Sequence, residues 1–154
     1  MEPKWLSVEE QRTWRAFVAA HGRLLTQLDL DLLSEFDLTL PEYEVMAHLS
    51  EATDWQLRMN ELAELCALSP SGLTRRFDSM VRSGLVTRRP CDDDRRGVYA
   101  ALTQAGYDRL SAAAPAHLDS VRRHFIEPLG SEHLELVERI LDRIAPAGVV
   151  ARVE

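Results

Sequence analysis

Cysteine is scarce in this chain of 154 residues: Cys66 and Cys91 are the two, and neither has a second thiol near it in sequence. A disulfide framework and a cysteine-based zinc pattern are therefore not expected, and both side chains read as reduced thiols. Long hydrophobic runs are missing as well. The opening Met1-Glu2-Pro3-Lys4-Trp5 has no basic stretch followed by an apolar segment, so neither a signal peptide nor a membrane-spanning helix is expected, and the reading places the protein in the cytoplasm with no membrane partner. The chain also lacks a glycine-rich phosphate loop and the H-E-x-x-H and G-x-S-x-G motifs, which leaves an enzyme reading without footing and implies no cofactor. Seven glycines and seven prolines against 45% hydrophobic residues exclude a fibrous or disordered chain and fit one domain with a real core.

Positive charge is in short supply overall, with a formal net charge of −7. Taken alone, that argues against a nucleic-acid partner, because phosphate binding needs local positive charge. The distribution reverses the argument. Between residues 75 and 97 stand seven arginines (75, 76, 82, 88, 89, 95 and 96) against four aspartates (78, 92, 93 and 94), a surplus of three positive charges, so the remainder carries −10. DNA responds to the surface it touches, and an acidic remainder suppresses indiscriminate binding without preventing docking.

Start signals divide the chain. Ser7-Val8-Glu9-Glu10 has capping-box spacing and precedes apolar residues at helical intervals from Trp14 to Leu33, which predicts a long first helix to about Phe36. Its apolar positions exceed what one small core needs, so part of it should pack on another subunit. Thr39-Leu40-Pro41-Glu42 opens a second helix. After a polar break at 51–56, Met59, Leu62, Ala63 and Leu65 predict a third, ending near Cys66. Ser69 and Pro70 start a fourth, running to about Arg82. Gly84 then stops the helical texture, and alternating residues Leu85–Arg89 and Val98–Leu102 predict a hairpin around a polar tip. Thr103 caps a fifth helix to about Phe125, with a bend expected at Pro115, and Ser131 opens a sixth. There Leu134, Val137, Leu141 and Ile144 form a seam for another helix.

The expected fold is thus mainly α with a small β-hairpin wing, a winged helix-turn-helix with N- and C-terminal dimerisation helices. Residues 1–36 form the N-terminal dimerisation helix, 37–102 the DNA-binding lobe and 103–154 the C-terminal dimerisation helices. Such an arrangement inserts one helix into a major groove and lays a hairpin beside it. In the fourth helix Leu73, Phe77, Met80 and Val81 share an apolar face, while Ser71, Arg75, Asp78 and Arg82 point away. Ser69 and Ser71, with the free N–H groups of the first turn, are expected to hold phosphate. Arg75 is the candidate for a guanine edge, Thr74 or Ser71 for weaker base contacts, and Arg76, nearer the core boundary, for phosphate. At the hairpin tip, Arg96 is assigned to a narrow minor groove, braced by Asp94, with Arg95 on the backbone. The plain alternative for each group is a solvated surface charge.

These residues resemble a known family. Leu68-Ser69, Thr74-Arg75, Gly84-Leu85-Val86, Asp94-Arg95-Arg96-Gly97 and Leu102-Thr103 are similar, at their spacing, to the MarR family of winged helix-turn-helix regulators. The resemblance implies a homodimer held by the first, fifth and sixth helices on a pseudopalindromic double-stranded operator. It further implies a repressor released by a small anionic or phenolic effector, or by thiol oxidation. The first helix has no cysteine, which departs from the peroxide-sensing branch. Trp14, Arg15 and His21 are the candidates for lining an effector cleft, against a reading of Trp14 as core or interface and Arg15 as a surface charge. His117 and His124, seven apart, share a helical face but lack a third metal ligand and read as a solvated pair. The alternatives to a ligand-released repressor are a thiol- or metal-responsive regulator of the same fold, or a winged-helix module that binds protein.

Overall fold

Four hydroxyl side chains set the helix starts. In the computed structural model, which describes residues 3–91 and 97–144, Ser7 closes a capping box with Glu10 at the head of α1 (Val8–Phe36), and Thr39 does so with Glu42 at the head of α2 (Leu40–Glu51). Ser69 accepts from the Gly72 N–H ahead of α4 (Pro70–Arg82), and Thr103 from the Gly106 N–H ahead of α5 (Gln104–Val121). Each cap satisfies a backbone donor that the helix itself cannot, worth about 1 kcal/mol. Between α2 and α4 lie the short strand β1 (Gln56–Arg58) and α3 (Met59–Leu65).

After α4, Gly84 turns the chain with a φ of 75°, and β2 (Val86–Pro90) and β3 (Val98–Leu102) pair antiparallel with Arg88 opposite Ala100. The sheet has three strands, not the two of a simple hairpin: β1 adds to the other edge of β3, Leu57 opposite Ala100, giving the order β1-β3-β2. The predicted bend at Pro115 does not interrupt α5. The irregularity comes later, in a π-helical turn at Arg122–Ile126 followed by α6 (Glu127–Leu129). A 3-10 turn at Ser131–His133 then leads into α7 (Leu134–Ile144).

One core joins these elements. Leu28 and Leu32 of α1, Met46 and Leu49 of α2, Leu62 of α3, Phe77 and Met80 of α4, Val86 and Leu102 of the sheet, and Leu110 and Ala113 of α5 are all buried in it. Phe77, wholly removed from solvent, is at its centre; truncating such a ring to alanine costs about 3–5 kcal/mol. Only the C-terminal half of α1 contributes to this core. Its N-terminal half runs out past α7 with Trp14, Phe17 and Val18 exposed, and Leu141 and Ile144 of the predicted seam are exposed as well.

Candidate nucleic-acid interface

The apolar side of α4 is anchored by Leu73, Phe77 and Met80, which turns Ser71, Thr74, Arg75 and Arg82 outward, all exposed. Ser69 and Ser71 lie together at the helix start with their hydroxyls 3.3 Å apart. The Ser69 Oγ is engaged by the Gly72 N–H at 3.1 Å, so toward a ligand it acts as a donor. Thr74 donates to the Pro70 carbonyl at 2.8 Å, which leaves its methyl group and an acceptor lone pair facing out.

The two arginines differ. Arg75 is exposed and has no ion-pair partner among the described residues. Arg76 is half-buried, and its Nε is shut from solvent without a hydrogen-bond partner. Both line a hollow of about 450 Å³ with Glu42, Leu68, Gly72 and Ser79 on the α2 side of the helix. Behind it, burial raises the Glu44 carboxyl above its ordinary range, opposed by His48 and Arg76. Burial, reinforced by Glu44, pushes the Cys66 thiol up to about 11. A thiol so protonated is a poor nucleophile.

On the opposite side of α4 runs a groove of about 340 Å³ between the helix and the sheet, lined by Arg58, Met59, Asn60, Thr74, Arg88, Gly97 and Val98. Of these only Thr74 was singled out from sequence. Arg58 reaches it from the end of β1, with its guanidinium 5.7 Å from the centre of the Tyr99 ring. Arg88 enters from β2, 2.7 Å from Asp78 and 5.2 Å from the centre of the Phe77 ring. Asp78 was expected on the free polar face; it is half-buried and paired across to the strand. The alternation of β2 was the signal for Arg88, because burial of Val86 sends the residue two further on to the same side of the sheet. The tip residues Asp94, Arg95 and Arg96 lie outside the described residues. At the base of the tip, the Cys91 N–H bonds to the Gly97 carbonyl, and a Cβ on Gly97 would meet the Cys91 Sγ at 2.8 Å, so the strands close tightly there.

Trp14, Arg15 and His21 are all exposed on α1. Trp14 and His21 flank Phe17, with ring centres 6.1 and 6.0 Å from it, whereas Arg15 projects from a neighbouring face. Trp14 alone of the three lines a broad apolar groove, about 840 Å³, between α1 and α7. A polar cluster unforeseen from sequence sits where α1 meets α5. Asp31 accepts from Ser120 at 2.5 Å and from Gln27 at 2.8 Å, and faces the His124 Nε2 at 3.4 Å. The Ser120 bond holds the Asp31 carboxyl below its ordinary value. His117 packs against Tyr43 with ring centres 4.3 Å apart and planes tilted by 42°, and burial lowers its pKa. The expected solvated histidine pair is thus corrected: both rings are half-buried, packed against α1 and α2. Among the described residues no group of three histidine, cysteine, aspartate or glutamate side chains is arranged to hold a metal, and no helix is long and apolar enough to cross a membrane.

Comparison with known proteins agrees with this geometry. A model described as the MarR family matches residues 36–97, the lobe from the end of α1 to the start of β3. AbsC, a MarR family transcriptional regulator from Streptomyces coelicolor, superposes with a TM-score of 0.87 at 38% identity, over 93% of this chain and 96% of that one. Sco3205, a MarR family transcriptional regulator of the same organism solved in complex with DNA, gives 0.89 at 33% identity, over 94% and 90%. The transcriptional regulator PecS of Dickeya dadantii is 24% identical over 123 residues, 79% of this chain and 74% of that protein. With two structures above 30% identity matching almost end to end, this chain belongs to the MarR family of transcription regulators and is not an enzyme.

Proposed function

We propose that the chain is a homodimeric, sequence-specific DNA-binding regulator of the cytoplasm, a repressor that holds a pseudopalindromic operator until a small anionic or phenolic effector releases it. The observation that carries the DNA reading is the exposed row Ser71, Thr74 and Arg75 on a helix fixed by Leu73, Phe77 and Met80, with an arginine-lined groove alongside. Arg75 reads a guanine edge through its planar fork, and Thr74 offers its methyl to a thymine. Ser69, Ser71 and Arg76 hold phosphate, and Asp94, Arg95 and Arg96 of the tip serve the adjacent minor groove. Sco3205 was solved with DNA at 33% identity, which supports the same use of this surface.

Two copies joined through α1, α5 and α7 would place their α4 helices about one DNA turn, roughly 34 Å, apart. The effector is assigned to the ring row of Trp14 and His21 with Arg15 as the cation. A thiol trigger is disfavoured by the raised pKa of Cys66. Binding of the purified protein to genomic fragments, followed by recovery of the bound duplex, tests the reading. One preferred site with dyad symmetry is expected, with Arg75→Ala losing the preference and Arg76→Ala flattening the dependence of log affinity on log salt by about one. Equal affinity for every duplex sinks the proposal.

A further inference from the structure

We infer that Arg88 is a positioning residue of the DNA-binding surface: clamped by Asp78, it sets β2 at a fixed distance from α4. The inference rests on the DNA reading above and deepens it, because that reading requires one helix and one hairpin to enter neighbouring grooves together.

The need arises on α4. Asp78 stands four residues after Thr74 and three after Arg75, so it shares their face. A free carboxylate there would repel the phosphates that the arginines attract. The 2.7 Å contact with Arg88 neutralises it. Arg88 in turn is held from two sides, by that carboxylate and by the ring of Phe77, the residue before it, which is itself locked in the core. A planar guanidinium suits this double hold, pairing at its edge and stacking on its face.

In β2, Val86 is buried while Arg88, Arg89 and Pro90 are exposed. Arg88 is therefore the first residue past the point where the strand leaves the core that ties it to the helix. Its register partner Ala100 is paired on the other side to Leu57, so the clamp acts on the whole three-stranded sheet. Thr74 and Arg88 both wall the groove between the two elements. Both partners are partly exposed, at 35% and 47% of their side-chain surface. A pair in that setting adds little to stability, so its loss should appear in DNA binding rather than in thermal melting.

A simpler role predicts the opposite sign at Asp78. Were Arg88 only a phosphate ligand, Asp78 would compete for it, and Asp78→Asn would tighten binding. The test compares the full-length protein with Asp78→Asn, Arg88→Gln, the double variant and the exchanged pair Asp78→Arg with Arg88→Asp, on the recovered operator and on an unrelated duplex at several salt concentrations. Arg75→Ala serves as the control for base reading. Each single variant is expected to weaken operator binding about tenfold with an unchanged melting temperature, the double variant no further, and the exchanged pair to recover most of the loss. Hydroxyl-radical footprints of the single variants should keep the protection by α4 and lose that by the hairpin. Tighter binding by Asp78→Asn, additive losses in the double variant, or no recovery in the exchanged pair each overturns the inference. Failure of the unaltered protein to prefer any duplex overturns the DNA reading itself, a result these variants do not produce.

Discussion

A glycine shows how closely the parts of this molecule are fitted. Gly106 sits in the first turn of α5, where alanine is ordinarily the better helix former by about 1 kcal/mol. Here a Cβ would lie 2.1 Å from the Leu85 carbonyl oxygen and 2.7 Å from Leu102 Cδ1, both on structure that Thr103 ties to the same helix. Steric overlap outweighs propensity. Gly106→Ala is expected to destabilise by at least about 2 kcal/mol, against a slight gain for Gly22→Ala, whose added carbon meets nothing within 4 Å. Thermal or urea unfolding of the two variants reads the contrast, and a Gly106→Ala protein as stable as the parent would refute the fitted contact. Titration offers a second check. Burial keeps His117 below its ordinary value of 6.5, so the unfolded chain takes up the proton first. That contribution to stability is complete above 6.5 and is lost as the pH falls from there toward the lowered folded value. Asp31, lowered from 3.8 by its bond from Ser120, loses its contribution in a separate, more acidic window. Replacing His117 by phenylalanine, which preserves a ring against Tyr43, should flatten unfolding free energy against pH just below 6.5; an unaltered slope would place the linkage elsewhere.

At the scale of elements, what could be foreseen followed from local chemistry. The caps at Ser7, Thr39, Ser69 and Thr103 were legible because each acts within three residues of itself, and Ser69-Pro70 and Gly84 bracketed α4. The apolar face of α4, and with it the outward Ser71, Arg75 and Arg82, followed from its period, whereas Asp78, expected beside them, is half-buried and paired to Arg88. The strand β1 was not legible: three residues give no period, and only β3 makes Gln56–Arg58 extended. Asp31 and Ser120 are 89 residues apart in sequence, and Arg88 pairs across to a different element; tertiary packing chose both. The same holds for the entry to β1, where Asp54 and Trp55 both take positive φ, 54° and 55°. Successive left-handed residues without glycine cost about 1 kcal/mol or more each and persist only where surroundings repay them. The repayment is the Trp55 ring, stacked on Tyr107 of α5 with centres 4.5 Å apart and planes at 12°. Trp55→Ala should therefore release the turn and loosen β1, costing about 2–3 kcal/mol and reducing hydrogen-exchange protection at Leu57 more than at Arg88. Equal loss along the sheet would show that the stack does not act through β1.

For the whole molecule, the decisive mismatch is between α1 and the core it serves. Leu28 and Leu32 anchor its C-terminal half, yet Phe17 is 42% exposed, Val18 48% and, on α7, Ile140 46% and Ile144 63%. A single copy leaves this continuous apolar surface in water, well beyond the scattered exposure that soluble monomers tolerate. The proposed dimer removes it, and also makes the DNA reading quantitative, since two α4 helices on one duplex gain from each other's binding what one helix cannot. Charge placed in the groove should separate the two functions. Phe17→Asp together with Ile140→Asp leaves Phe77, Leu32 and the lobe untouched, so helical content and the packing of the lobe should survive. Sedimentation at micromolar concentration is expected to show a dimer for the parent and a monomer for the variant, with operator affinity falling at least about a hundredfold while the weak affinity for a half-site stays within about twofold. A variant that remains a dimer would move the interface off α1 and α7, and one that binds the full operator as tightly as the parent would remove the dimer from the mechanism.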